Sequence, residues 1–312
     1  MIRNEIQKAR KKKTVISISL GSSKRDAKGI LVLGDTEIKL ERLGTDGDIR
    51  KAGELLEQYD GKVDAIGLGG TDLYLAAGGR RYVFAESEKL LRRVRYTPVL
   101  DGSGLKNTLE RMAIRYLAED HEIAFAEKKA LLVCAVDRFG MAEALVQQRC
   151  RVTFGDIIYG LGVNIPIYSL ATLNRWASVL IPVIIRLPIK WMYPTGKQQD
   201  KHIDRHPEYF LENDIIAGDF LFIKRFMPSR LEHKIIITNT VTGEDRKALK
   251  AAGVKTLVTT TPCLQGRSFG TNVLEAAIVA ASEKNSALRP EEYEIFIRQY
   301  QIMPSIEQFS RS

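Results

Sequence analysis

The segment VISISL (residues 15–20) alternates apolar and polar side chains, the period of a half-buried strand. GILVL (29–33) and EIKLERL (37–43) repeat that signature on either side of a Gly34-Asp35 turn. DIRKAGELLEQY (48–59) switches to helical period, and VDAIGLGG (63–70) returns to a β-rich run ending in glycines. LYLAA and RRYVF flank Gly78-Gly79, which suits a hairpin, and a charged helix over 86–95 stops before Thr97-Pro98. After the turn Asp101-Gly102-Ser103-Gly104, the amphipathic run LKNTLERMAIRYLAED (105–120) predicts a long helix that links this unit to the next.

From Lys129 the order becomes strand (ALLVCAV), helix (FGMAEALVQQ), strand (RVTF), and three further β-branched runs follow, DIIAGDF, KIIITNT and TLVTTTP. Short strands alternating with helices predict a mostly parallel sheet covered on both faces. The expected fold is therefore α/β, with an N-terminal α/β substrate domain over 14–120 and a Rossmann-like doubly wound parallel-sheet domain over 121–285. TNVLEAAIVAAS and a helical tail over 286–312 are expected to fold back over the cleft between them.

The composition, 45% hydrophobic and 27% charged, is that of a globular chain and excludes a disordered or collagen-like one. Net charge is +9, but residues 1–13 supply +5 of it, which reads as a solvated basic tail and leaves the body nearly balanced. Without interleaved aromatics or a reader motif, that charge makes a nucleic-acid partner the weakest of the functional readings. No run of about 18 uncharged apolar residues occurs, so no membrane span is expected. The start does not read as a signal peptide, and three scattered cysteines suit reduced thiols, so a cytoplasmic protein is expected.

In doubly wound sheets ligands bind at the carboxyl ends of the strands. The turn after the 130–136 strand carries Arg138 and the single glycine Gly140 at the start of a helix whose free N–H groups suit a phosphate. Asp156 ends the next strand 19 residues past Asp137, where a carboxylate either accepts the ribose hydroxyls of NAD or caps the following segment. Gly218 ends the third strand. These four form the expected cofactor site, for NAD in preference to NADP because Asp156 would repel a 2′-phosphate. Gly67-Leu68-Gly69-Gly70 precedes a strand and not a helix, so it reads as a turn. Asp101 sits between glycines with Lys106 and Asn107 about a turn away. It is either an acid/base group working with Lys106 on a small-molecule substrate also met by Asn107, or a helix cap. His202 and His206 are four apart, but Pro207 argues against a metal pair and no metal is expected; residues 191–199 form an aromatic loop that suits a lid.

The motifs SLGSSKRD, RLGTDGD, DGSGLKNTLER, VDRFGMAEAL, YPTGKQ, IAGDF, TNTVTGED and TTTPCLQGRSFGTN, in this order over nearly the whole length, resemble a bacterial group named quinate 5-dehydrogenase, and through it the quinate and shikimate dehydrogenases. The resemblance implies NAD(P)-dependent hydride transfer to a cyclic hydroxy acid, with Asp101 as the catalytic aspartate. The family's Asn-Val-Thr-x-Pro-x-x-Lys segment has no counterpart here, so Lys106 would have to take the lysine's role, and Ser17 and Ser19 would have to stand for its carboxylate-binding serines. The alternative is a two-domain protein that binds a nucleotide or phosphorylated metabolite in the same cleft without dehydrogenase activity. Gly21-Ser22-Ser23-Lys24, which looks somewhat like the phosphate loop of actin-like kinases, favours it.

Overall fold

The computed structural model describes residues 10–77, 80–120, 123–186, 202–264, 267–268 and 270–309. The aromatic loop over 191–199 lies outside them. The first lobe holds β1 (Lys11–Ser19), β2 (Ala27–Leu33), β3 (Thr36–Gly44), α1 (Ile49–Tyr59), β4 (Ala65–Gly69), β5 (Tyr74–Ala77), β6 (Arg80–Val83), α2 (Ala85–Leu91) and β7 (Val99–Leu100). Its sheet runs β2-β3-β1-β4-β7, with β2 antiparallel to β3 and the other neighbours parallel, while β5 and β6 pair as a separate hairpin. Because β3 and not β2 lies beside β1, the segment after β1 is not in the meander that an actin-like phosphate loop needs. Ser23–Arg25 forms a short 3-10 turn there, held by Asp46 through the Ser23 N–H at 2.8 Å.

Alternation along β1 divides the lobe into two cores. Ile16, Ile18 and Leu20 pack with Ala52 and Leu56 of α1, whereas Val15 faces the opposite side. That opposite side is covered by α3 (Ser103–Glu119) and by two helices from the end of the chain, α9 (Thr271–Ser282) and α10 (Pro290–Gln299), through Leu105, Leu109, Leu274, Ile278 and Tyr293. The approach is close enough to need glycine: a Cβ on Gly67 would lie 2.9 Å from the Asn272 carbonyl oxygen. The glycines at the end of β4 thus make room for a helix.

The second lobe holds β8 (Lys129–Leu132), α4 (Phe139–Gln147), β9 (Arg151–Phe154), α5 (Leu170–Ile184), α6 (Pro207–Glu212), β10 (Ile215–Gly218), α7 (Phe220–Phe226), β11 (Ile235–Thr238), α8 (Gly243–Ala251) and β12 (Thr256–Thr259). β13 (Cys263–Leu264) and β14 (Arg267–Ser268) pair just before α9, and β15 (Ser305–Gln308) ends the described chain. The sheet order is β9-β8-β10-β11-β12-β15, parallel except for β15. This is the expected doubly wound α/β sheet, in the 2-1-3-4-5 order of flavodoxin-like folds and not the 3-2-1-4-5-6 order of dinucleotide domains. The direction of winding reverses between β8 and β10, and there the fold leaves its crevice.

Two sequence expectations need correction. The basic tail ends before Lys11, because Lys11–Lys13 pair with Thr36–Ile38 as the first rungs of β1. Lys13 and the Thr14 N–H both bond Asp64, at 2.9 and 2.7 Å, and Lys11 reaches Glu283 at 2.7 Å. The C-terminal segment is not wholly helical either, since β15 returns to pair with β12. His202 and His206 share no helix: His206 has φ 49° and precedes Pro207, the first residue of α6. A chain beginning at Thr14 should therefore melt lower than one beginning at Arg10, by about 2–5 °C from the lost rungs and ion pairs. Scanning calorimetry of both truncations checks it; equal melting would mean that Lys11–Lys13 contribute nothing to the strand.

Candidate functional site

The carboxyl ends of both sheets face each other across the start of α3. Gly102, with φ +94°, turns the chain from β7 into that helix. Asp101 accepts from the Ser103 N–H at 3.0 Å, the Ser103 hydroxyl at 2.6 Å and the Leu73 N–H at 2.6 Å. Its carboxylate therefore ties the loop after β4 to the first turn of α3 from one residue before the N-cap, which is Gly102.

Lys106 lies one turn further on but does not pair with Asp101. Its ammonium donates to Asp137, in the turn after β8, and lies 3.7 Å from Asp72, just past β4. Four residues on, Glu110 accepts from Arg138, whose other arm reaches Asp219 at 3.0 Å. Asp219 also caps α7 through the Leu221 N–H and accepts from Asn239 at 2.8 Å. A chain of charges thus crosses from the first lobe through α3 to the switch point between β8 and β10.

Burial sets the electrostatics of this chain. It opposes the charged form of Lys106, but Asp137 and Asp72 more than offset it and hold the ammonium well above its ordinary value. Burial likewise opposes the Asp137 carboxylate, which Lys106 and Arg138 hold below the usual range. Arg138 is raised in the same way by Glu110 and Asp219, whereas Glu110 is pushed by burial up to about 7 despite Arg138. Each cation is already matched to two carboxylates.

The expected cofactor residues are present at the strand ends but engaged with the protein. Asp156 is half-buried as a residue and accepts from the Ala135 and Val136 N–H groups through one oxygen, both at 2.9 Å, while its other, buried oxygen makes no hydrogen bond; burial lifts its carboxyl to about 6. Gly140 lies against α3, where a Cβ would fall 2.3 Å from the Asn107 Oδ1. Its lack of a side chain thus serves helix packing. Arg138 is committed to Glu110 and Asp219, and Gly218, with φ +136°, offers its carbonyl to Thr238. Asn107 packs at the α3–α4 contact. Ser17 and Ser19 are buried under α9, Ser17 accepting from Asn272 Nδ2 at 3.0 Å and Ser19 from the Gly21 N–H at 3.1 Å.

Beside Asp101, Glu275 of α9 is fully buried and accepts from the Gly102 N–H at 2.6 Å and from the Tyr293 hydroxyl. Sequence reasoning missed it together with Asp72, Glu110, Asp137 and Asp219. Asp72, Asp137 and Asp219 share one signal, an aspartate just past the end of a strand, and Glu110 sits four residues after Lys106 on one helix face. The space left among Tyr74, Ser103, Lys106, Asp137 and Phe139 is about 10 Å³, room for about one water molecule. The lobes are closed on each other.

Residues 104–309 match a family model described as "Domain of unknown function (DUF8754)", and residues 14–101 match a second, "Domain of unknown function (DUF8753)". No curated protein matches the chain. Among solved structures, the chain is similar to a glucose-galactose binding protein from Geobacillus stearothermophilus, at 12% identity and TM-score 0.39, covering 96% of this chain and 98% of that one. It is also similar to a periplasmic ribose ABC transporter protein from Conexibacter woesei, at 10% identity and TM-score 0.38, covering 93% and 96%. An NAD-dependent malic enzyme from Thermotoga maritima matches at 13% identity and TM-score 0.34, covering 93% and 83%.

Burial, followed by the charge of Asp101, pushes the Glu275 carboxyl from 4.5 up to about 8. The folded chain then keeps a proton that the unfolded chain releases, so the stability from this group is full below about pH 4.5 and is lost as pH rises through about 8. Glu275→Gln keeps an acceptor for Gly102 and removes that loss. The variant should gain on the order of 2–4 kcal/mol on the wild type between pH 5 and 9. Denaturant melts across that range test it, and parallel pH profiles would show that Glu275 is ionised in the fold throughout.

Proposed function

The chain belongs to the family described as domain of unknown function DUF8754, and we propose that it binds a small, neutral, polyhydroxylated molecule in the cleft between its lobes. The carrying observation is the charge balance there: Asp72, Asp137, Glu110 and Asp219 surround only Lys106 and Arg138. With the charge of each cation offset by two carboxylates, a further anion meets net negative charge, whereas hydroxyl groups can donate to the carboxylates. Tyr74 and Phe139 beside them supply apolar faces of the kind that cover a polyol's C–H groups. Because Lys106 of α3 holds Asp72 of one lobe and Asp137 of the other, opening the cleft would expose both carboxylates to a ligand that can bridge them on closure.

This reading departs from hydride transfer to quinate by NAD, which needs an anion at each subsite. Against a pyrophosphate at the first turn of α4 speaks the packing of Gly140 on Asn107, and against a ribose at the end of β9 the engagement of one Asp156 oxygen by two backbone N–H groups. Calorimetric titration with neutral aldoses and polyols, with quinate and shikimate, and with NAD(H) and NADP(H) separates the two. We expect heat from a neutral polyol only, and at least about tenfold weaker binding for Asp72→Asn, the range for a lost hydrogen bond to a charged group. Binding of NAD(H) with absorbance change on quinate would restore the dehydrogenase reading and overturn this one.

A further inference from the structure

Away from the cleft, α5 presents a face that no other element among the described residues covers. Leu173, Ala177 and Ile181 turn into the core of the second lobe, and Trp176, Val179 and Val183, spaced at i, i+3 and i+7, lie together on another side. These three are 40%, 67% and 60% exposed, and Tyr168, just before the helix, is 69% exposed. Single apolar side chains on a surface are ordinary, but a helical stripe of them that includes a tryptophan marks a docking surface.

The charges around the stripe decide what it fits. From Ile157 to Gln199 the sequence has no aspartate or glutamate, while Arg175 of α5 and Arg186, in the turn that ends it, are exposed. Two copies of α5 packed face to face would bring arginines together with no carboxylate from this segment between them. An anionic bilayer instead supplies the complement, since the arginines meet phosphate headgroups while the tryptophan and valines enter the acyl boundary and Tyr168 sits at headgroup depth. No helix among the described residues is long and apolar enough to cross a membrane. We propose that α5 docks the protein onto the surface of an anionic lipid bilayer, lying in its plane with Trp176, Val179 and Val183 inserted.

The test is co-sedimentation of the full chain with vesicles of phosphatidylcholine alone and of phosphatidylcholine with one-third phosphatidylglycerol. The wild type should pellet with the anionic vesicles and not with the neutral ones. Val179→Glu with Val183→Glu should reduce the bound fraction at least tenfold, and Arg175→Gln with Arg186→Gln several-fold, with circular dichroism and melting unchanged because all four side chains are exposed. Failure to pellet with anionic vesicles overturns the proposal. Pelleting that the valine variant does not weaken overturns it too, and assigns the binding to diffuse charge such as the basic N-terminus. Sedimentation equilibrium covers the remaining case: a dimer broken by the valine substitutions, without vesicle binding, would give the face to a second copy.

Discussion

Two cations buried at the junction of the lobes constrain everything around them. A buried ammonium or guanidinium is tolerated only when carboxylates and hydrogen bonds surround it. Lys106 and Arg138 take theirs from four separate stretches: the loop after β4, α3 itself, the turn after β8 and the start of α7. Removing any one carboxylate leaves charge without compensation in a dry place. The ends of two sheets are thereby fixed against one helix, and the closed cleft rests on that requirement together with the apolar core that Leu75 and Phe84 of the first lobe share with Phe139, Leu173 and Ala177 of the second.

The same requirement explains why the turn after β8 departs from a nucleotide loop. A phosphate-binding turn leaves its N–H groups open and lets a helix start point into the crevice. Here Asp156 takes the N–H groups of Ala135 and Val136, and α4 lies so close to α3 that only glycine fits at position 140. Both features hold Asp137 and Arg138 rigidly in place for Lys106, Glu110 and Asp219. The turn has become a support for the ion pairs.

Much of the fold was legible because it is local. β-branched runs marked β1, β4, β8, β10, β11 and β12, and the period of 105–120 marked α3. What sequence hid were choices between equal uses of one residue. A carboxylate 19 residues past the turn suits a ribose or a pair of backbone N–H groups equally well, and a glycine at a helix start suits a phosphate or a neighbouring helix. Lys106 offered a near carboxylate in Asp101 and took a distant one in Asp137, because Asp101 was already satisfied by Leu73 and Ser103. Lys11 and Lys13 read as part of a solvated tail since their carboxylate partners, Glu283 and Asp64, lie far along the chain.

The path of the chain has its own mechanical meaning. It passes between the lobes along α3, again between β12 and α9, and a third time between α10 and β15, so neither lobe is a continuous piece of sequence. A body held to another by one tether can swivel freely, whereas three tethers leave little besides a hinged, jaw-like motion. Any ligand that enters the cleft therefore meets the same two edges in the same register at every closure, and α9, which bonds the Asp101-Gly102 turn through Glu275 and follows the last strand of the other lobe, is the part of the jaw where that motion would be felt first.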